Sequence, residues 1–326
     1  MAIRVVRTVS ALRHAVIRWR GRGERIALVP TMGALHEGHL ALVRAGRRRA
    51  RRLIVSIFVN PAQFAPHEDL ASYPRSLKAD LETLTDIAVD LAWAPPAALM
   101  YPSGFATRVA PQGPATVGLE DKFRPHFFSG VATVVAKLLI QCAPDFAMFG
   151  EKDYQQLKVV TRMAKDLDLP VKIVPVATVR ERDGLALSSR NSYLSSGERT
   201  AAPTLYRVLA DCAGKIARGE LLARVLDEGA AAIERTGFAL DYLEARHADS
   251  LAPILAQGGP DPAAGRRAHR QDAADRQHRG VIRAAGAAPP ASRLPRRVGG
   301  GNPSLLAAIR GDAGVAKKSA RVDSWA

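Results

Sequence analysis

The sequence predicts an α/β protein in which helices flank a parallel sheet, with a smaller α+β domain at the C-terminal side. Apolar segments of strand length alternate with helix-like segments between residues 26 and 176, which is typical of repeated β-α-β units. Glycine-containing or polar loops follow several of these strands. Beyond residue 191 the pattern changes to alanine- and leucine-rich helices and one alternating strand.

The predicted elements follow one another in a regular order. Apolar, β-branched runs predict strands at residues 26–29, 53–59, 90–94, 146–149 and 171–176. Helical periodicity predicts helices at residues 39–52, 77–85, 129–141 and 154–167. A second domain is expected to begin near residue 192, with helices at 198–218 and 221–235 and a strand at 240–245. The domains are therefore placed at residues 1–191 and 192–256.

Composition restricts the class of protein. A chain of 326 residues with 47% hydrophobic residues is long enough for two cores. It shows no apolar run of membrane-spanning length and no signal-peptide pattern, so a soluble cytoplasmic protein with no membrane partner is expected. Cys142 and Cys212 fall in predicted helices and are interpreted as buried thiols.

The net charge of +16 first suggests a polyanion partner. Its distribution weakens that interpretation, because residues 258–326 hold 13 Lys and Arg against 5 Asp and Glu, which is half of the excess. A nucleic-acid-binding protein would need the charge on the folded part, interleaved with aromatic residues. A moderate excess on the rest of the chain suits small anionic ligands, and no nucleic-acid partner is expected.

The strongest local signal is PTMGALHEGH at residues 30–39, between a predicted strand and a predicted helix. Phosphates bind at such positions, where backbone N–H groups are free. Gly33 and Gly38 are expected to let the backbone approach a nucleotide. His36 and His39 are three residues apart, so both imidazoles are expected to point one way and donate to phosphate. Taken alone, the two histidines would be better explained as a surface pair or as half of a zinc site.

Two further blocks place polar residues after strands. SIFVNPAQF at residues 56–64 ends in the amides Asn60 and Gln63, which can hold a polar ligand or simply close a turn. FGEKDYQQ at residues 149–156 offers Gly150 for close backbone approach and Lys152 as a positive charge for phosphate. The alternative for this block is a charged helix start in which Asp153 is the N-cap.

The fourth block is VRERDGLALSSRN at residues 179–191. Two hydroxyls followed by Arg190 suit a mobile lid that closes over phosphates. A pair of serines that caps a helix is the alternative.

Together the four blocks resemble the pantothenate synthetase family of the nucleotidyltransferase superfamily, with its HxGH, VNPxQF, FGEKDxQQ and DGLAxSSRN motifs. The resemblance implies a Rossmann-like domain and ATP-dependent condensation of (R)-pantoate with β-alanine, through a pantoyl-adenylate, to pantothenate, AMP and pyrophosphate. It also implies Mg²⁺ and a homodimer. A cytidylyltransferase of the same superfamily is the alternative, against which the segments containing Gln63 and Gln156 argue.

The resemblance assigns residues to roles. The catalytic residues are His36, His39, Lys152 and Arg190. The ATP-binding residues are Met32, Gly33, Ala34, Leu35, His36, Glu37, Gly38, His39, Gly150, Glu151, Lys152, Asp153, Val179, Leu187, Ser188, Ser189 and Arg190. Pantoate is assigned to Pro30, Met32, Gln63 and Gln156, and β-alanine to Asn60 and Gln63. In the family-like YPRSLKAD at residues 73–80, Asp80 is a candidate to approach a metal-bound phosphate. In KFRPHFFSGVATVVAKLL at residues 122–139 the match is imperfect, and His126 receives no role.

The end of the chain departs from the family. LDYLEARHADSLAPI at residues 240–254 still resembles it, but a terminal strand such as AARIGKTRLIDNI is missing. Residues 257–326 are rich in Ala, Gly, Pro and Arg and are expected to be poorly ordered. Read one base downstream, codons for HRQDAADRQH at residues 269–278 can encode IGKTRLIDNI. We interpret the tail as the product of a frameshift, either genuine or a sequencing error. A genuine frameshift would leave the second domain incomplete and the enzyme weakened or inactive.

Overall fold

A computed structural model describes residues 3–65, 68–254, 303–311 and 321–322. Its centre is a sheet of six parallel strands in the order β1-β4-β3-β2-β5-β6. The strands are β1 (Arg4–Val6), β2 (Ile26–Thr31), β3 (Arg52–Ile57), β4 (Leu91–Trp93), β5 (Phe146–Gly150) and β6 (Lys172–Val176). This confirms the predicted α/β class. Strand β1 precedes the first predicted element; it is only three residues long and is identified by its pairing with β4.

Helices connect the strands. They are α1 (Val9–Arg20), α2 (Glu37–Arg49), α3 (Leu77–Leu84), α4 (Ala97–Met100), α5 (Glu120–Phe123), α6 (Phe127–Cys142) and α7 (Tyr154–Asp166). Helix α1 was not predicted. Cys142 and Cys212 are buried free thiols, as predicted. Within the described part of the chain, every helix is too short or too polar to cross a membrane.

The sheet is buried on both faces because its strands are apolar at successive positions. In β2, Ile26 and Leu28 pack into the core cluster that contains α1, α6 and α7. Ala27 and Val29, which alternate with them, pack into the cluster on the other face with α2 and α3. This period of two is what a doubly covered strand requires.

The C-terminal elements have a core of their own. They are α8 (Ser196–Ala201), α9 (Pro203–Ala217), α10 (Leu222–Glu234) and β7 (Phe238–His247). The single helix predicted at residues 198–218 is wrong: it is two helices, because Pro203 lacks an N–H group and takes the first position of α9. The domain boundary at residue 192 stays a prediction.

Strand β7 pairs with a segment of the tail. The strands β8 (Pro303–Gly311) and β9 (Arg321–Val322) extend it into an antiparallel sheet in the order β7-β8-β9. No strand was predicted at these residues, and the expectation of a poorly ordered tail at residues 257–326 stays a prediction. An open strand edge offers N–H and C=O groups to any segment that can extend, and the sequence SLLAAI within β8 is compatible with a strand. The segment 269–278, on which the frameshift interpretation rests, lies outside the described residues.

The strand order fixes the position of the site. From β2 the chain continues to β3 on one side and later reaches β5 on the other, so the order reverses at β2. In open parallel sheets, ligands bind at the carboxyl ends of the strands beside such a reversal. The loops after β2, β3, β5 and β6 all emerge at this edge.

Candidate active site

Four loops meet at one cleft of about 240 Å³ at the carboxyl edge of the sheet. We call residues 30–39 the first loop, 60–64 the second, 150–153 the third and 179–191 the fourth. The predicted site residues that line the cleft are Pro30, Met32, His36, Gly38, His39, Asn60, Gln63, Gly150, Lys152, Asp153, Gln156, Val179, Leu187, Ser188, Ser189 and Arg190. Gly33, Ala34, Leu35, Glu37 and Glu151 are not among its lining residues.

Asp80 anchors the first loop. Asp80 is 3% exposed. Its Oδ1 accepts a hydrogen bond from the Leu35 N–H at 2.8 Å, and its Oδ2 accepts one from the Ala34 N–H at 3.3 Å. Gly33 turns the loop with φ of +84°, and a Cβ there would lie 2.8 Å from Asp80 Oδ2. These contacts make Asp80 an anchor of the first loop, and its approach to a metal-bound phosphate stays a prediction.

The two histidines close the N-terminus of α2. His36 is the N-cap, and its Nδ1 accepts from the Gly38 N–H at 3.1 Å. His39 reaches back, and its Nδ1 accepts from the His36 N–H at 3.3 Å. The ring centroids are 4.2 Å apart. A Cβ on Gly38 would lie 2.9 Å from the His36 ring, so this glycine makes room for the imidazole.

Both imidazoles are neutral near pH 7. Burial, and then the charge of Lys152, lowers the pKa of His36 to about 4. Burial, and then His36 and Lys152, lowers the pKa of His39 to about 3. Because each Nδ1 accepts a backbone N–H, the proton of each neutral ring resides on Nε2. The first loop therefore offers two N–H donors without bringing positive charge.

The second loop is pressed against α6. Asn60 is 1% exposed and donates through Nδ2 to Gln63 Oε1 at 3.0 Å and to the Gly130 carbonyl at 3.2 Å. Gln63 Nε2 lies 2.9 Å from the Met32 sulfur, so the second loop contacts the first. A Cβ on Gly130 would lie 2.1 Å from the Ala62 carbonyl oxygen, which no side chain could tolerate. Sequence reasoning missed Gly130; a glycine inside an apolar helix was the available signal.

The third loop brings a positive charge to the cleft. Lys152 lies 3.6 Å from the Asp153 carboxylate, and its side chain is 18% exposed. Asp153 occupies the N-cap position of α7, as the alternative interpretation had it, but its side chain makes no capping hydrogen bond. Gln156, in the first turn of α7, also lines the cleft.

The fourth loop is held by a surface segment that precedes α3. The Tyr73 hydroxyl is 3.2 Å from Ser189 Oγ. The guanidinium of Arg190 contacts the Asp69 carboxylate at 3.2 Å and lies 5.9 Å from the Tyr73 ring centroid. Ser188 Oγ accepts from the Arg190 N–H at 3.3 Å and begins a short 3-10 turn. Asp69 and Tyr73 had received no role, although Tyr73 opens the family-like YPRSLKAD.

One wall of the cleft consists of residues to which the sequence analysis gave no role. Arg124 is 5% exposed and forms ion pairs with Glu68, at 2.7 Å, and with Glu120. Its guanidinium also donates to the Gln63 carbonyl. The ring of Phe127 stacks 4.0 Å from its guanidinium. Most of the other unassigned lining residues are apolar, among them Phe58, Phe64, Val131, Val134, Val135 and Leu138. An apolar wall beside polar loops suits a ligand with both aliphatic and charged parts.

A cleft of this composition at the reversal point of a parallel sheet defines a nucleotide-binding α/β enzyme. Comparison with known proteins gives the particular family. The sequence model described as "Pantoate-beta-alanine ligase" matches residues 4–271, and the chain belongs to this family.

Related sequences support this family assignment. A pantothenate synthetase of Nitrobacter winogradskyi is 64% identical over 250 residues, covering 77% of this chain and 88% of the relative. Pantothenate synthetase 2 of Bradyrhizobium diazoefficiens is 61% identical over 253 residues, covering 78% and 89%.

Solved structures also match. The crystal structure of pantothenate synthetase from Thermus thermophilus has a TM-score of 0.73 at 49% identity and covers 77% of this chain and 90% of its own. The pantoate-β-alanine ligase of Francisella tularensis, crystallised with "Beta-gamma ATP and Beta-alanine", has a TM-score of 0.66 at 36% identity and covers 74% and 89%. The chain is a ligase of this family, and the cytidylyltransferase alternative is not favoured.

Proposed function

We propose that this cleft condenses (R)-pantoate with β-alanine at the expense of ATP. An amine cannot convert a free carboxylate directly into an amide, because oxide would have to leave the acyl carbon and is a very poor leaving group. A pantoate carboxylate oxygen therefore attacks the α-phosphorus of ATP, and the bond to the β-phosphate oxygen breaks to release pyrophosphate. The amine of β-alanine then attacks the acyl carbon of the pantoyl-adenylate, AMP leaves, and the nitrogen loses a proton. The convergence of four loops on one cleft carries this proposal.

The charged end of ATP is assigned to the first, third and fourth loops. The Nε2–H groups of His36 and His39 would donate to phosphate oxygens, where charge increases as pyrophosphate departs. Lys152 and Arg190 would neutralise that charge. The remaining ATP residues are those given above for these loops, of which Gly33, Ala34 and Leu35 act by shaping the first loop around Asp80.

The acid and the amine are assigned to the second loop and its neighbours. Gln63 and Gln156 would hold pantoate beside Pro30 and Met32, and Gln63 with Asn60 would hold β-alanine. Amides suit this task because they bind a hydroxyl, a carboxylate or an amine without adding charge. The apolar wall at Phe58 and Val131 would accommodate the aliphatic part of pantoate.

We assign Mg²⁺ to the phosphates of ATP. Residues 3–65 and 68–254 contain no group of three His, Cys, Asp or Glu side chains that could hold a metal, and Asp80 binds the first loop. Mg²⁺ commonly binds substrate phosphates and keeps several waters. Bound in this way, it would supply positive charge on the triphosphate.

Two further properties are proposed. A homodimer is expected from the family resemblance, and sedimentation or light scattering of the purified chain would measure it. A biosynthetic ligase that uses ATP belongs in the cytoplasm, and fractionation of cells that express the full chain would test this.

The proposal is tested by AMP formation that depends on both pantoate and β-alanine. Omission of either substrate is expected to abolish AMP release, and with CTP in place of ATP the release of CMP is expected to be far slower than that of AMP. AMP or CMP release without β-alanine, or equal rates with CTP, would contradict it. Pyrophosphate release with pantoate and ATP alone, limited to one turnover per site, would report the adenylate step.

We also propose that a frameshift replaced the end of the chain. The family match ends at residue 271, and the relatives align over 250 and 253 residues, which leaves about a tenth of each relative unmatched. Resequencing the gene tests whether the shift is a sequencing error. If the printed reading frame across residues 269–278 is confirmed, a sequencing error is excluded. Restoration of the alternative frame by a one-base change is then expected to raise thermal stability and turnover, and unchanged values would contradict the proposal.

A further inference from the structure

We propose that Tyr101 is a positioning residue: its hydroxyl fixes Asn60, and Asn60 fixes which end of the Gln63 amide faces the substrate. The inference rests on the proposed role of Gln63 in pantoate binding. Tyr101 lies at the end of α4, outside all four loops. Its hydroxyl donates to Asn60 Oδ1 at 2.6 Å.

Backbone groups determine the polarity of the Asn60 amide. The Gly130 carbonyl can only accept, so the atom that lies 3.2 Å from it must be the Asn60 nitrogen. The Ala62 N–H can only donate, so the atom at 3.3 Å from it must be the Asn60 oxygen. This second bond is long, and the shorter one from Tyr101 at 2.6 Å holds the same oxygen. Asn60 is therefore fixed from both ends while 1% exposed.

The polarity passes on to Gln63. Asn60 Nδ2 is a donor and lies 3.0 Å from the Gln63 side chain, so the Gln63 atom that faces it must be the oxygen. The Gln63 nitrogen is then turned toward Met32 in the cleft. A pantoate carboxylate or hydroxyl oxygen thus meets an N–H donor. A flipped Gln63 would present a carbonyl oxygen, which repels a carboxylate.

The environment of Tyr101 keeps the hydroxyl in place and protonated. Its ring packs against Phe58 at 6.4 Å and against Phe105 at 5.2 Å between centroids. Burial raises the pKa of Tyr101 to about 12, so the group remains a donor over the working pH range. Tyr101→Phe keeps both ring contacts and deletes only the donor.

The test measures Tyr101→Phe in the full chain. Loss of one buried hydrogen bond is expected to raise the KM and Kd for pantoate about tenfold, with the KM for ATP changed less than twofold. The control Tyr154→Phe also deletes a hydroxyl that donates to a carbonyl, that of Ala248 at 2.9 Å, but outside this chain of hydrogen bonds. It is expected to leave the pantoate values unchanged.

A double-mutant cycle separates positioning from general destabilisation. If Tyr101 acts through Gln63, the effect of Tyr101→Phe on pantoate disappears when Gln63 is already Ala. An equal effect in both backgrounds, or a Gln63→Ala variant with unchanged pantoate affinity, would overturn the proposal.

A readout without ligand keeps the test independent of the proposed function. In NMR spectra, Tyr101→Phe is expected to shift the side-chain amide resonances of Asn60 and Gln63 together, and Tyr154→Phe to shift neither. An unshifted Gln63 overturns the inference even if the chain forms no AMP; failure of AMP formation beside shifted resonances overturns only the proposed function.

Discussion

The first and fourth loops both line the cleft, but they are held in different ways. The first is fixed through its backbone: Asp80 accepts the N–H groups of Ala34 and Leu35, and the two histidines cap α2. The fourth is held through side chains, by Tyr73 at Ser189 and by Asp69 at Arg190. Asp69 and Arg190 are each 20% exposed.

The difference teaches how one site can be both pre-organised and adaptable. Because the first loop is anchored through its backbone, its donors are held in fixed positions. Stabilisation of developing charge requires such pre-organised donors. A side-chain ion pair can be exchanged, so a phosphate can take the place of the Asp69 carboxylate on Arg190. We therefore expect the first loop to be rigid and the fourth to respond to ATP.

The substitution His36→Asn separates the role of His36 as a hydrogen-bond donor from its role as the N-cap of α2. Asn is an excellent N-cap, so the start of α2 and the melting temperature are expected to be retained, while the Nε2–H donor is lost. Turnover should fall by on the order of 10²–10³, as for removal of a preorganised donor. The measurement is AMP formation beside thermal melting. His36→Ala, which loses the cap as well, should in addition destabilise the protein by about 1 kcal/mol. Retained turnover in His36→Asn would show that the ring serves only as a cap.

The pH dependence tests the burial of the same loop. Because the pKa values of His36 and His39 lie at about 4 and about 3, below the ordinary 6.5, the unfolded chain binds more protons than the folded one below pH 6.5. The free energy of unfolding should therefore fall as the pH drops from about 6.5 toward 4. NMR titration of the imidazoles, assigned with the two variants His36→Asn and His39→Asn, measures the pKa values directly. Values near 6.5 would show the loop to be open to water.

Asp80→Asn weakens the anchor itself. The amide keeps one acceptor and turns an NH₂ group toward a backbone N–H, so we expect a loss of about 1–3 kcal/mol in the free energy of unfolding. Turnover should fall with it, because the donors of the first loop lose their fixed position. Urea unfolding and AMP formation measure the two effects. The exposed Asp86→Asn serves as control and should change neither. A metal role for Asp80 would instead appear as a changed Mg²⁺ dependence with unchanged stability.

Asp69→Asn acts on the exchangeable contact and has the smallest expected effect. A partly exposed ion pair contributes about 0.2–1 kcal/mol, so removal of the competing carboxylate should lower the KM for ATP by up to about fivefold. Steady-state kinetics with varied ATP measure this, with Asp166→Asn, which pairs with Arg162 on α7, as the matched control. A raised KM for ATP would mean that Asp69 orders the loop for binding and does not compete with phosphate.

Prediction from sequence succeeded where the signal is local. The strands and helices around the first loop were found because apolar periodicity and the position of glycines are properties of neighbouring residues. It failed at β1, which is recognised only by its partner β4, and at the break between α8 and α9, where Pro203 starts a new helix within a continuous apolar pattern. It also did not identify β8, which is recognised only by its pairing with β7.

The sequence by itself determined the order of the elements, the four loops and the residue types that each loop brings to the cleft. Only the tertiary structure decided what holds those residues: Asp80 beneath the first loop, Tyr73 beside the fourth, and Tyr101 behind Asn60. Each of these contacts joins residues at least 41 positions apart in the chain. A polar side chain carries no local mark of the distant backbone group or side chain it will meet, because that meeting depends on how the sheet and helices pack.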